Sequence, residues 1–185
     1  MGIKTDLNVS VFVDEALKTI QRGTVDRKSA FKLPVLSSYS ENKIFQRIVV
    51  SRKYNELDHA LLIYTDHESK KYSQLKNNPS CSLLFWDSRK KLQVQVTGTA
   101  SFLDDKTTFW EKLSETQKKD YSIEPYPGEK IPKADSYSHG NTNDRFEVLS
   151  IKFNSLDILE LSPEGHRRAK SILNKNDRED FWVAP

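Results

Sequence analysis

The sequence predicts a mainly β, antiparallel fold: a barrel or a sandwich with helices packed outside it. Three observations predict it. The runs "KIFQRIVVSRKY", "HALLIYT", "SCSLLFWD" and "KLQVQVTGTASFL" are rich in β-branched and aromatic residues and follow one another through short polar turns. In "LQVQVTG" the alternation is strict, with Leu92, Val94 and Val96 on one face and Gln93, Gln95 and Thr97 on the other. Helical spacing is confined to a few segments, so strands must pair mainly with their sequence neighbours.

Taken in order, Phe12, Val13, Ala16, Leu17 and Ile20 recur at helical spacing, with Ser10 as expected N-cap and Gly23 as expected stop. "AFKLPVLSSYS" reads as a strand that Pro34 pushes to a sheet edge. "KIFQRIVVSRKY" and "HALLIYT" read as a hairpin about the turn "YNELD". A short helix starting at Ser69-Lys70-Lys71 closes before Pro79, and the pair "SCSLLFWD" and "KLQVQVTGTASFL" follows. Asp104 or Asp105 caps a helix carrying Phe109, Trp110 and Leu113. Residues 120–144 hold prolines and glycines without periodicity and read as a long surface loop, a length that is uncommon without a function. "RFEVLSIKF" and "SLDILEL" read as two last strands, and residues 162–185 as a polar C-terminal tail. All of this fits one domain, 1–185, with an N-terminal helix in 1–25.

Bulk properties exclude several classes. With 29 basic against 26 acidic side chains, the net charge of +3 is too small to argue for nucleic acid or an anionic membrane. The single cysteine, Cys81, allows neither an internal disulfide nor a cysteine-based metal cluster. No apolar run approaches the roughly 18 residues of a membrane span, and the start "MGIKTDLNVSVFV" lacks a secretory pattern. A cytoplasmic protein is expected. His59, His67 and His139 are scattered, without metal spacing, and no Ser-His-Asp arrangement is legible.

Three separated segments carry groups suited to an anionic, planar ligand. "QRIVVSR" supplies Arg47, Ser51 and Arg52; "ESKK" supplies Ser69, Lys70, Lys71 and the amides of a helix start; "LQVQ" supplies Gln93. Paired lysines at a helix N-terminus oppose the macrodipole unless an anion answers them. A phosphate held by charged donors gains about 1.5–3 kcal/mol per bond. A glutamine amide matches the donor–acceptor edge of a pyrimidine-like ring. Each segment alone also reads as an ordinary solvated surface. Arg47 and Arg52 are an odd number of positions apart, so a regular strand sends them to opposite faces; if both meet one ligand, a bulge or strand end lies between them.

Together and in this order, "QRIVVSR", "IYTDHESKK", "NNPSCSLLFW" and "LQVQVTG" resemble the pyridoxamine 5'-phosphate oxidase-like family of FMN-binding split barrels, from about Phe31 to Leu103. The resemblance implies a Greek-key split β-barrel with flanking helices, and a homodimer with FMN at the subunit interface. It implicates Arg47, Ile48, Val49, Val50, Ser51 and Arg52, then Tyr64 and Thr65, in cofactor binding. It further places Ser69, Lys70 and Lys71 near the phosphate and Gln93 near the flavin ring. Arg47 and the lysines are expected at the phosphate, Arg52 nearer the ring.

The resemblance is looser beyond Leu103. "FWEKLSETQKK" offers Trp110 and acidic or neutral residues where true pyridoxamine phosphate oxidases grip a substrate phosphate, and "GHRRAKS" retains Arg167 without the family's following histidine. Three readings stand: an FMN-dependent oxidoreductase acting on a small molecule or taking electrons from a nicotinamide donor; a binding protein holding FMN or haem; and pyridoxamine phosphate oxidase itself.

Overall fold

The computed structural model describes residues 8–140, 143–174 and 177–185. Residues 1–7 of the expected N-terminal segment, and 141–142 of the expected loop, lie outside that set. In chain order the elements are α1 (Val9–Val25), β1 (Val35–Ser40), β2 (Lys43–Ile48), β3 (Lys53–Asn55), β4 (Ala60–Asp66) and α2 (Lys70–Asn77). Then come β5 (Ser80–Asp87), β6 (Leu92–Phe102), α3 (Thr107–Trp110), α4 (Glu115–Lys118), β7 (Ile123–Glu124), β8 (Ser138–His139), β9 (Phe146–Glu160), β10 (Arg167–Leu173) and β11 (Arg178–Val183).

One antiparallel sheet runs β11-β10-β9-β6-β5-β1-β2, and β4, carrying β3, joins it on β9. The branch at β9 makes the barrel. Its first half pairs with β4 and its second half with β10, while β6 follows it from Leu149 to Glu160 on the other side. The ladder with β6 shifts register between Thr97 and Gly98, where a Cβ on Gly98 would lie 2.7 Å from the Lys152 carbonyl oxygen. Helix α1 sends Phe12, Val13, Ala16, Leu17 and Ile20 into the same core as Leu36, Leu83, Val96 and Leu156.

Several expectations are corrected. Asn8, not Ser10, caps α1, accepting the Ser10 amide at 2.9 Å. Gly23 lies inside the helix rather than ending it; a Cβ there would stand 2.6 Å from the Phe31 carbonyl oxygen. The residue is small because the helix and the short 3-10 turn Ala30–Lys32 touch. β1 is an inner strand, bonded to β2 and β5, and Pro34 escapes the ladder by preceding it.

"KIFQRIVVSRKY" is two strands: β2 turns back on β1 through Glu41 and Asn42, both at positive φ, while only β3 forms the hairpin with β4. The break falls at 49–52, where the Val49, Ser51 and Arg52 amides are taken by the Pro34, Lys32 and Leu62 carbonyls. β9 is one continuous strand of 15 residues where two were expected. The expected tail forms β10 and β11. The expected loop 120–144 contains the small β7–β8 ladder, and α4, opened by a Ser114–Gln117 capping box, precedes it.

Directly paired residues share a sheet face. Arg47, Leu36, Leu83, Val96, Leu156 and Ser171 form one inward row. Ile48, Val35, Leu84 and Gln95 form the neighbouring outward row. The outward face carries Ile44 at 71% and Ile48 at 66% exposure, with Tyr39, Leu84 and Trp86 also open.

Candidate functional site

β2 ends the inward row with an arginine where its neighbours carry leucine and valine. The Arg47 guanidinium donates from Nη1 to Ser38 Oγ and from Nη2 to Gln74 Oε1, each at 2.7 Å. Ser38 Oγ in turn donates to Gln74 Oε1 at 2.8 Å. Both acceptors are buried and neutral, so they fix the guanidinium's direction without cancelling its charge. Burial lowers the Arg47 pKa.

β4 delivers Thr65 to the start of α2, and a short turn delivers Ser69 and Lys71. Ser69 makes no capping bond; its hydroxyl donates to the Asp66 carbonyl at 2.7 Å and lies 3.0 Å from Thr65 Oγ1. Lys71 Nζ donates to Thr65 Oγ1 at 3.0 Å. Burial lowers the Lys71 pKa, the Arg47 charge lowers it further, and Asp66 opposes both. Lys70 is exposed, and its Cε would lie 3.9 Å from a Cβ on Gly128. Among the described residues no carboxylate forms an ion pair with Arg47, Lys70 or Lys71. An uncapped helix tip, two desolvated cations and two hydroxyls lie together, and among the described residues neither cation has an ion-paired carboxylate.

Arg52 stands just past the strand break. Its guanidinium lies 5.1 Å from the Tyr64 ring centroid, Nη2 donates to Tyr121 Oη at 3.1 Å, and Nε is buried without a partner. Tyr64 and Tyr121 form an aromatic wall around Phe146, with ring centroids 5.2 and 5.0 Å from it. Burial raises the pKa of both phenols, with Arg52 opposing.

The other sequence-predicted residues divide. Ser51 is fully buried and its hydroxyl donates to the Phe31 carbonyl, which makes it a brace for the break rather than a free donor. Val49 is core, Val50 half-buried, and Ile48 points outward. Gln93 also faces outward, level with Trp86 and Leu159, on the opposite face of the sheet from Arg47. One chain therefore does not bring Gln93 to the cations. Arg167 is engaged by Glu160 and lies over the Phe12 ring on the α1 side. His59 meets Tyr54, His67 meets Glu68, and His139 Nδ1 lies 2.9 Å from the Lys119 carbonyl. No cluster of three metal-ligating side chains occurs among the described residues.

Sequence reading missed Ser38, Gln74, Tyr121, Asp66 and Arg145. Gln74 carried a signal: it stands three residues after Lys71 on α2, hence on the same helix face. Buried Arg145 carried none, since it only opens the run "RFEVLSIKF" after a segment without periodicity. Its Nε donates to Asp66 Oδ2 at 3.1 Å, its Nη1 to Glu124 Oε1 at 2.6 Å and its Nη2 to the Ile123 carbonyl at 2.8 Å.

The arrangement suits a phosphomonoester carried by a planar, partly apolar body: cations and a helix tip for the dianion, aromatic side chains beside it. The fold and this cradle define an antiparallel barrel with a candidate anion site. The sequence profile of the pyridoxamine 5'-phosphate oxidase family matches residues 27–156. The chain belongs to that family. Pyridoxine/pyridoxamine 5'-phosphate oxidases of Enterobacter sp. strain 638 and Citrobacter koseri are 41% and 40% identical over 70 residues. That match covers 37% of this chain and 31% of each relative, so the chain spans about a third of their length.

Among solved structures, a pyridoxamine 5'-phosphate oxidase-related, FMN-binding protein from Nostoc punctiforme superposes with a TM-score of 0.73 at 19% identity, covering 98% of this chain and 100% of its own. PhzG from Burkholderia lata, solved with tetrahydrophenazine-1-carboxylic acid, gives 0.73 at 15% identity, covering 97% and 95%. At these identities they show the fold, the split barrel of the family. Among the described residues no helix is long and apolar enough to cross a membrane.

Proposed function

We propose that the chain is an FMN-dependent oxidoreductase that binds its cofactor through the Arg47–Lys71 cradle. One observation carries the reading: two desolvated cations lie along the first turns of α2 and donate only to neutral protein acceptors. Such a site is incomplete without an anion, because burying like charges together is unfavourable. Arg47, Lys71, Ser69 and Thr65 would hold the phosphate, with Lys70 at its exposed side. Arg52, whose Nε lacks a partner, would face a polar edge of the ring system beside Tyr64.

FMN supplies the redox chemistry, and the protein's part is to bind it, orient it and stabilise negative charge with the Arg52 guanidinium. A small-molecule substrate, with a nicotinamide as candidate electron donor, completes the reaction. The lone, buried thiol of Cys81 suits a reducing cytoplasmic setting.

The placement of Gln93 supports a homodimer. It faces outward among Trp86, Leu84 and Ile48, an apolar surface of the kind that subunits bury. A second copy on that face would bring its own Gln93 to a flavin that the first copy's cations hold.

The test is the visible spectrum of the purified protein, identification of any released chromophore, and steady-state oxidation of NADH and NADPH with an added acceptor. A flavin spectrum, released FMN and turnover support the reading. A colourless protein that takes up no added FMN contradicts it; FMN uptake without turnover with any donor reduces it to cofactor binding.

A further inference from the structure

Asp66 is a buried carboxylate placed at the start of a site that attracts anions. It is 4% exposed and adjoins Thr65, whose Oγ1 accepts from Lys71 Nζ at 3.0 Å, and its charge opposes the burial and the Arg47 charge that lower the Lys71 pKa. Left alone, Asp66 would be the natural counterion for Lys71 and would compete with any phosphate for it. The geometry shows why it does not. Arg145 receives both carboxylate oxygens, Nε lying 3.3 Å from Oδ1 and 3.1 Å from Oδ2, while Nη2 also donates to Oδ2. Oδ1 further accepts the Glu68 amide at 2.8 Å, which shapes the turn into α2. Lys71 meanwhile donates to the neutral Thr65 hydroxyl.

We propose that Arg145 is a positioning residue: it holds the Asp66 carboxylate off Lys71, and so keeps the lysine and the helix tip available to a phosphate. The inference rests on the anion-cradle reading above and adds to it how the cradle stays free of the chain's own carboxylate.

The rest of the arginine reinforces the arrangement. Nη1 binds Glu124, Nη2 binds the Ile123 carbonyl, and the guanidinium lies 4.9 Å from the Tyr126 ring centroid. These contacts approach from the 120–140 segment and fix the fork in the orientation that faces Asp66. A lysine at this position has one nitrogen and cannot bridge Asp66, Glu124 and the Ile123 carbonyl in that geometry.

The test compares FMN and inorganic phosphate binding, by calorimetry on cofactor-free protein, in the native chain, R145M, R145K and the double variant D66N/R145M. R145M releases the carboxylate and should weaken FMN at least tenfold, with R145K between it and the native chain. The double variant removes the competing carboxylate with its keeper and should return FMN affinity to within about threefold of native. A merely structural role predicts the opposite order, the double variant being no better than R145M. If R145M does not fold, the double variant, which leaves no unpaired buried charge, decides: native-like affinity supports the proposal, and a tenfold loss overturns it. Native protein that binds phosphate but not FMN would refute the cofactor while leaving this comparison to be made with phosphate. Native protein that binds neither would refute both.

Discussion

The molecule treats its arginines in two ways. On the β9–β10–β11 side, Arg167 faces Glu160, Arg168 faces Asp157 and Arg178 faces Asp14 and Asp180. At the tip of α2, Arg47 and Lys71 face a serine, a glutamine and a threonine. The first set sits in half-exposed ladders whose charges cancel in place. The second is desolvated and, among the described residues, without an ion pair. Composition cannot separate the two sets; the presence or absence of an ion-paired carboxylate does. A cation without an ion-paired carboxylate at a helix N-terminus is what marks the candidate ligand site.

The comparison can be broken in order of effect. R145M strands the buried Asp66 charge and should destabilise the chain by about 3–5 kcal/mol in urea unfolding; a loss below about 1 kcal/mol would mean the pair is not buried in solution. K71M should weaken FMN binding by about 1.5–3 kcal/mol in a fluorescence titration, while leaving cofactor-free melting unchanged or raised because a desolvated charge is removed. A cofactor-free chain that melts well below native would show Lys71 to be structural instead. R167A, in the cancelled set, should cost roughly 1 kcal/mol or less and leave FMN affinity untouched.

A last, acid-specific effect belongs to His59, whose pKa is lowered by burial first and by the Arg178 charge next, with Asp14 and Glu56 opposing. Its ring Nδ1 lies 2.8 Å from Tyr54 Oη. The unfolded chain binds the proton more readily, so His59's contribution is complete above the ordinary histidine range and is lost as pH falls through the folded value. Thermal melts between pH 8 and 5 should therefore fall more steeply for the native chain than for H59Q. Parallel curves would contradict the assignment.

Legibility followed the same division. The strict alternation of β6 needs no partner to be read, and it stood in the structure as expected. β10 and β11 were hidden because "RRAKS" and "REDFW" look solvated, and only the pairing of those charges across strands makes them sheet. β9 was divided at Asn154-Ser155, polar residues that hydrogen-bond outward to Thr99 and Thr97 instead of turning. In the site, the cations stood out by their setting and by the family resemblance. Their neutral acceptors did not, since Ser38 and Gln74 come from other elements and nothing local marks a serine that faces an arginine. Asp66 and Arg145, 79 positions apart, meet only through the β4–β9 ladder.

The most direct test of the cradle is a calorimetric titration of cofactor-free protein with FMN and, separately, with riboflavin, which has the same ring and ribityl chain without the phosphate. The account predicts that FMN binds at least a hundredfold more tightly, and that R47A and K71M each shrink that ratio. Equal affinity for the two flavins would contradict it.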